Sequence, residues 1–249
     1  MAAPAPDRTG RTYAEAWSRI QSAQKRDTSV PLYLKWVNRP AGKRLACLAW
    51  SWGLTPNQVT GISALFSFGA IALLLLVPTS VWLGVLLAVL LLVGYAFDSA
   101  DGQLARLGGG GSPAGEWLDH VTDAGRNLLL HCAILVAWVR FTDLHGAVLL
   151  LPLGWIVVSG TFFFAVMLRD QLNRGLGRKR VADTSSDSLL RSIVLMPIDY
   201  SSLCLAFLVL GFVPVFVVVY AVLLLINALF TLRALRKTYG ELAAPDPAP

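Results

Sequence analysis

The segment from Leu45 to Phe97 reads LACLAWSWGLTPNQVTGISALFSFGAIALLLLVPTSVWLGVLLAVLLLVGYAF and contains no Asp, Glu, Lys or Arg in 53 residues. As one continuous helix it would extend about 80 Å, whereas the hydrocarbon core of a bilayer is roughly 30 Å thick. The run must therefore fold back on itself, and Pro78-Thr79-Ser80 is the expected corner. The mean hydropathy of +0.61 and the 14% of charged residues exclude a soluble globular domain.

The remaining apolar runs predict an all-α, polytopic membrane protein with six transmembrane helices. A Ser or Thr followed by Pro is a typical helix start, and two of the spans begin with that pair. The predicted spans are Thr55–Val77, Val81–Arg106, Ser112–Arg140, Gly146–Leu168, and two more between Ser192 and Leu232 with a turn near Gly211 and Pro214.

Three regions follow from these spans: an N-terminal cytoplasmic or interfacial segment at residues 1–54, a six-helix transmembrane domain at 55–237, and a flexible tail at 238–249. The N-terminal segment mixes Trp36, Trp50 and Trp52 with basic residues. This mixture predicts a pair of helices at the membrane surface, interrupted at Pro40 and Gly42, and the alternative is a disordered cytosolic arm.

Lysine and arginine are unevenly distributed among the connections. Nine of the 21 precede the first span, six lie between Arg169 and Arg191, and three follow the sixth span. Because positive residues accumulate on the cytoplasmic side, we expect both termini and the junction of the second and third spans to be cytoplasmic, in the cell membrane. The net charge of +6 then requires no nucleic-acid partner. The group from Arg169 to Arg191 either follows this rule alone or also binds an acidic acceptor.

Four aspartates lie at that junction, in FDSADGQLARLGGGGSPAGEWLDHVTDAGRN from Phe97 to Asn127. Asp98 and Asp101 share one helix face, and so do Asp119 and Asp123. Each carboxylate in a span costs about 2.5–3.5 kcal/mol, so positive charge must compensate it. Two divalent cations would do so, and all-oxygen ligands favour Mg²⁺, with Mn²⁺ or Ca²⁺ as alternatives. Ion pairing with Arg106 and Arg126 is the other possibility.

The residues between the aspartates favour a phosphate ligand. Two metals held close together suit in-line displacement at phosphorus. Gly102, Ala105 and Gly115 leave room beside them, and Arg106 has the geometry to bind phosphate oxygens. The backbone amides at the start of the third helix add an anion site. The predicted ligand is a metal-bound pyrophosphate.

This stretch resembles the signature of the CDP-alcohol phosphotransferase family. The specified residues occur at the family's spacing as Asp98, Asp101, Gly102, Ala105, Arg106, Gly115, Asp119 and Asp123. The resemblance implies an integral membrane enzyme, commonly a homodimer, that moves a substituted phosphate from a CDP-linked donor to an alcohol acceptor in lipid biosynthesis and releases CMP. It assigns the four aspartates to two metals and Asp123 also to the role of catalytic base. It places Asn57, Gly102, Ala105, Arg106, Ser112 and Gly115 at the nucleotide end of the donor.

His120 is a second candidate for the base. The sequence GEWLDHVTD resembles the choline and ethanolamine phosphotransferase branch, in which this histidine accepts the proton. The match favours a CDP-activated head group with a lipid or polyol acceptor, while CDP-diacylglycerol with a soluble acceptor stays open.

Three further polar residues lie in or near the spans. Asn127 and His131 continue the aspartate stripe and either orient an acceptor or form hydrogen bonds between helices. Asp199 is the only charged residue in the last two spans before Leu232, and we expect it to face a cavity.

Two other functions use aspartates inside a membrane. An intramembrane prenyltransferase also binds a metal-pyrophosphate group, and a cation carrier needs carboxylates for its ion. Metal-dependent CMP release from a CDP-linked donor would distinguish both from the phosphotransferase.

Overall fold

The computed structural model describes residues 11–21, 30–176 and 189–243. These ranges contain α-helices and no strand. The helices are α1 (Tyr13–Ile20), α2 (Arg39–Ser51), α3 (Pro56–Leu76), α4 (Val81–Leu107), α5 (Pro113–Phe141), α6 (Leu150–Gly175), α7 (Leu189–Val194), α8 (Tyr200–Ala206) and α9 (Val213–Ala243). Short 3₁₀ turns precede α6 and flank α8.

Five of these helices, namely α3, α4, α5, α6 and α9, are long and apolar enough to cross a membrane. The segments Leu189–Ile198 and Tyr200–Val209 form a sixth span if they are counted together, with a bend of 60° between them. The all-α architecture is thus confirmed, with five spans, or six if the bent pair is counted as one. Pro197 has no N–H to continue a helix, and Asp199 is extended before α8 begins.

The predicted helix starts are confirmed by their caps. Thr55 forms a reciprocal capping box with Gln58 at the start of α3, and the Ser112 hydroxyl accepts a hydrogen bond from the Gly115 N–H at 3.0 Å. Two helices end later than the sequence predicts, because α6 continues to Gly175 and α9 continues to Ala243. Arginine and lysine are good helix formers, so a helix continues past the apolar run. Residues 238–243 of the predicted tail are therefore helical, and 244–249 lie outside the described residues.

The N-terminal segment forms α1 and α2, so its described part is helical. The expected interruption at Pro40 and Gly42 is wrong, because a π-helical turn at Leu34–Asn38 leads directly into α2. Pro40 is the second residue of α2, within the first turn, where proline is tolerated because the N–H of that position has no partner within α2. At Gly42 a Cβ would lie 2.7 Å from Ser99 Oγ of α4, so glycine allows α2 to pack closely on α4.

Helix α4 is the central element of the bundle, since it contacts α2, α3 and α8. Its buried residues join those of α3, α5, α8 and α9 in one apolar core that includes Leu74, Leu91 and Trp138. Large apolar side chains such as Trp82 (82% exposed) point outward, as expected for a lipid-facing surface. The last turns of α4 pack against α1 and α2, where Ala100, Leu104 and Leu107 are buried.

Candidate active site

The four aspartates lie at one end of the bundle, where α4 ends and α5 begins. Asp98 and Asp101 are on the last turns of α4, and Asp119 and Asp123 are on the first turns of α5. The connection reverses through Gly109 and Gly110, whose φ angles of 92° and 131° are accessible to glycine without strain. The glycine run in the sequence thus forms the turn that brings the two aspartate pairs together.

Asp101 is buried, with 4% of its surface exposed. Its Oδ2 accepts a hydrogen bond of 2.6 Å from the Thr60 hydroxyl of α3. Within the described part of the chain, no lysine or arginine forms an ion pair with it. The hydrogen bond from Thr60 brings no positive charge, so a bound cation would help to compensate the charge of this buried carboxylate.

Arg126 connects two of the other aspartates. Its Nη2 donates to Asp123 Oδ1 at 2.5 Å, and its Nη1 donates to Asp98 Oδ1 at 3.4 Å. The guanidinium is 4.7 Å from the ring centre of Tyr200, and its side chain is only 5% exposed. The alternative that arginine neutralises the aspartates therefore holds for Asp98 and Asp123, through Arg126.

Asp119, His120 and Asp123 form the one group of three potential metal ligands found among the described residues. One ligand atom from each lies within 4.8 Å of the others. The two His120 ring nitrogens lie 3.9 Å from Asp119 Oδ2 and 3.8 Å from Glu116 Oε1. Carboxylate oxygens of this kind, together with buried Asp101, fit a hard divalent cation.

A cavity of about 600 Å³ opens between the starts of α3 and α5 and the end of α4. Its wall includes all six residues that the sequence places at the nucleotide: Asn57, Gly102, Ala105, Arg106, Ser112 and Gly115. Asp101, Asp119 and His120 also line it. A Cβ at Gly115 would lie 2.9 Å from Asn57 Oδ1, so this glycine lets the two helix starts approach each other. We call this space the large polar cavity.

A second cavity, of about 210 Å³, lies on the N-terminal side of α4 and shares Asp101, Gly102, Arg106 and Asp119 with the first. Its other lining residues are Leu34, Arg39, Asp98, Ser99 and Gln103. The Gln103 amide donates to the Arg39 carbonyl at 3.2 Å and so ties the N-terminal segment to α4. Sequence reasoning missed Arg39, because it belongs to no motif and only the packing of α2 on α4 brings it here. We call this space the small polar cavity.

The more distant polar candidates lie around a third cavity. His131 Nδ1 is 2.7 Å from the Tyr220 hydroxyl, and its ring stacks on Trp155 at 4.8 Å, which matches the packing alternative. Asn127 and Asp199 line the same cavity. Asp199 accepts hydrogen bonds from Tyr95 at 2.8 Å and from Ser201 at 2.6 Å. The expectation that Asp199 faces a cavity is met.

The basic group between Arg169 and Arg191 is only partly within the described residues. Arg169 pairs with Asp170 at 3.0 Å, and Arg174 pairs with Glu116 at 2.8 Å. Arg178, Lys179 and Arg180 lie outside the described residues. The described contacts of the first two arginines are thus with neighbouring acidic side chains.

Comparison with known proteins adds two findings. The sequence model of the CDP-alcohol phosphatidyltransferase family matches residues 53–233, which include α3 to α8, most of α9 and all four aspartates. Among solved structures, the phosphatidylinositol phosphate synthase of Mycobacterium tuberculosis with CDP-DAG bound has a similar fold. The TM-score is 0.57 and the sequence identity is 19%, with 82% of this chain and 94% of that chain covered. No curated protein sequence gives a significant match.

Proposed function

The chain belongs to the CDP-alcohol phosphatidyltransferase family, and we propose that it binds the cytidine nucleotide of its donor in the large polar cavity. Members of this family transfer a substituted phosphate group from a CDP-linked donor to an alcohol in lipid synthesis. The enzyme class of this chain is therefore transferase. The observation that carries the proposed site is the convergence of Asn57, Ser112 and four signature residues (Gly102, Ala105, Arg106 and Gly115) on one cavity beside the aspartates.

The wall of the large polar cavity suits a nucleotide diphosphate. Arg106 supplies a guanidinium, which binds phosphate oxygens in a bidentate manner. Ser112 caps α5, so the first amide groups of α5 are directed toward the same space. Asn57 and Gly115 meet at its far wall. Groups that recognise phosphate thus bind the diphosphate of the nucleotide, and the closely packed starts of α3 and α5 form the wall beside it.

The proposed donor binds together with two divalent cations, for which Mg²⁺ is the preferred metal. Asp101 and Asp119 line both polar cavities, and Asp98 lines the smaller one, so these residues would hold the cations together with Asp123. When bound, the cations would neutralise the pyrophosphate and stabilise the charge that develops on the leaving oxygen.

The acceptor hydroxyl has to lose its proton while its oxygen bonds to the β-phosphorus. The bond from that phosphorus to the bridging oxygen breaks, and CMP leaves with this oxygen. Asp123 is our first choice for the base, and His120 is the alternative because it lines the nucleotide cavity next to Asp119. In the structure Arg126 donates to Asp123 Oδ1, and the carboxylate has further lone pairs that could accept the proton.

The two bases are distinguished by Asp123→Asn and His120→Gln. We expect Asp123→Asn to lose nearly all turnover, and His120→Gln to retain much of it with an altered pH–rate profile. Metal binding is measured separately by calorimetry. Loss of turnover in His120→Gln, with intact metal binding, would assign the base to His120.

The site is assigned to the cytoplasmic boundary of the cell membrane, and both termini to the cytoplasmic side, on the distribution of lysine and arginine. A homodimer is the expected assembly, because the family resemblance implies it.

The test of the function is CMP release by the purified chain in lipid nanodiscs. We expect release from CDP-linked donors in the presence of Mg²⁺ and none with EDTA. A prenyltransferase would instead release pyrophosphate from an isoprenyl diphosphate, and a cation carrier would release neither. Either of these results, without CMP, would refute the proposal.

A further inference from the structure

A fourth cavity, of about 340 Å³, lies between α1 and α2 in the N-terminal segment. The described residues that line it are mostly basic and include no aspartate or glutamate: Trp17, Gln21, Lys35, Arg39, Pro40, Lys43 and Arg44. We call this space the basic pocket. It precedes residues 53–233, which the family model matches, so the reaction of the family does not account for it.

Neutral groups fix the positions of two of these cations. Lys43 Nζ donates to Gln21 Oε1 at 2.7 Å and lies 4.6 Å from the ring centre of Trp17. Arg44 Nη1 donates to the Pro40 carbonyl at 3.4 Å. Among the described residues, neither Lys43 nor Arg44 forms an ion pair with a carboxylate. Their contacts orient the charges without neutralising them, so both charges can attract an anion.

The spacing of the basic residues favours a ligand as well. Lys35, Arg39 and Lys43 are four residues apart, along the π-helical turn and α2. Like charges at this spacing repel each other and destabilise a helix. The positive-inside rule requires basic residues on the cytoplasmic side of the membrane but does not require that they line one cavity. A bound anion would offset the repulsion between them.

The basic pocket lies at the membrane boundary. Arg39 lines both this pocket and the small polar cavity, so the pocket is at the end of the bundle where the aspartates lie. Trp36 and Val37 follow Lys35 directly and are 65% and 48% exposed. Exposed apolar side chains beside basic residues are typical of a helix at a lipid surface. The most abundant anion at that surface is the phosphate of membrane lipids.

We propose that the basic pocket binds the phosphate group of an anionic phospholipid, at a site separate from the substrates of the proposed reaction. Lys43 and Arg44 donate charge-assisted hydrogen bonds to the phosphate oxygens, and the guanidinium of Arg44 can bind two of them. Trp36 and Val37 contact the apolar part of the surrounding lipid. The binding site does not depend on the proposed function.

The experiment titrates the full chain in detergent micelles with dioleoylphosphatidic acid and measures the one-to-one adduct by native mass spectrometry. EDTA is present, so that no metal at the aspartates binds the lipid phosphate. The double variant Lys43→Gln with Arg44→Gln removes two basic residues, each worth about fivefold in affinity for an anionic lipid, so its affinity should fall about 25-fold. Arg44→Gln alone, with a fall of about fivefold, replaces the double variant if the latter does not unfold cooperatively.

The matched control is Arg236→Gln with Lys237→Gln. It removes the same charge from the exposed end of α9, where neither residue lines the basic pocket, and it should bind phosphatidic acid as the wild type does. Equal weakening by both pairs would assign the binding to diffuse charge and overturn the inference. Equal binding of dioleoylphosphatidylcholine and phosphatidic acid by the wild type would also overturn it.

Two further arms test the source of the phosphate and the separation from the substrates. Adducts with inorganic phosphate but not with phosphatidic acid would overturn the assignment to a membrane lipid. In nanodiscs of dioleoylphosphatidylcholine alone, Lys43→Gln with Arg44→Gln should release CMP at the wild-type rate. A tenfold fall there would make the pocket a substrate subsite and overturn its separation. Lipid binding that follows the expected pattern, with no CMP from the wild type, would support the inference and count against the proposed function alone.

Discussion

The variant Arg126→Gln provides the sharpest test of how the negative charge of the aspartates is compensated. The guanidinium is buried, and it bonds to Asp98 and Asp123 on two helices. Removing one partner of a buried ion pair costs about 3–5 kcal/mol, because the remaining charge stays uncompensated. For a chain of this size, this corresponds to a fall in unfolding temperature on the order of 10 °C. We expect this loss in EDTA, measured by thermal unfolding in detergent.

Divalent cations should then restore part of that stability. A cation that binds the folded state at 100 times its dissociation constant stabilises it by about 2.7 kcal/mol, and the variant has two carboxylates that need this charge. The temperature gain on adding Mg²⁺ should therefore be larger in Arg126→Gln than in the wild type. Arg140→Gln is the control on the same helix, since Arg140 is exposed and, among the described residues, forms no ion pair with an aspartate or glutamate. Equal Mg²⁺ gains in all three proteins would refute the reasoning.

Three other predictions concern the nucleotide, the buried aspartate and the topology. Gly115→Ala should weaken CDP binding roughly tenfold, about 1.4 kcal/mol in calorimetry, because the new Cβ would lie 2.9 Å from Asn57 Oδ1. Gly61→Ala is the control, since a Cβ at Gly61 meets no atom within 4 Å, and this variant should bind CDP as the wild type does. Thr60→Val should reduce kcat about 10–100-fold by removing the donor to Asp101, and recovery of the rate in Thr60→Ser would tie the loss to the hydroxyl. A cysteine at Thr79 should react with an impermeant maleimide in intact cells and one at Gly175 should not, and the reverse pattern would invert the proposed topology.

The spans and the aspartate group were predictable, because both depend on local sequence. A charge-free run longer than a bilayer must turn, and Thr55 with Pro56 marks a helix start whatever lies around it. That Gly102, Ala105, Arg106 and Gly115 line one cavity was predictable for another reason, namely that fixed spacing on two consecutive helices leaves few arrangements. The TPNQVT segment at the start of α3 then completes the cavity wall by lying beside the end of α4 and the start of α5.

What the sequence did not reveal depends on contacts between distant segments. Arg126 was one of two possible counter-ions, and only the approach of α4 to α5 selects it for Asp98. Arg39 enters the small polar cavity because Gly42 allows α2 to pack on α4, and no pattern in the N-terminal segment marks that contact. The third cavity, lined by Asn127, His131 and Asp199, is likewise invisible in sequence, since the aromatic residues of its wall resemble any lipid-facing run.

The measurement that tests the central claim most directly is Mg²⁺-dependent CMP release by Asp98→Asn, Asp101→Asn and Asp119→Asn, each compared with the wild type in the same nanodiscs. These substitutions keep the side-chain shape and remove the charge that would bind cations. We expect release by the wild type and loss of at least about a thousandfold in kcat, roughly 4 kcal/mol of the barrier, in each variant that still unfolds cooperatively. CMP release at the wild-type rate from any of the three would contradict the assignment of the reaction to this site.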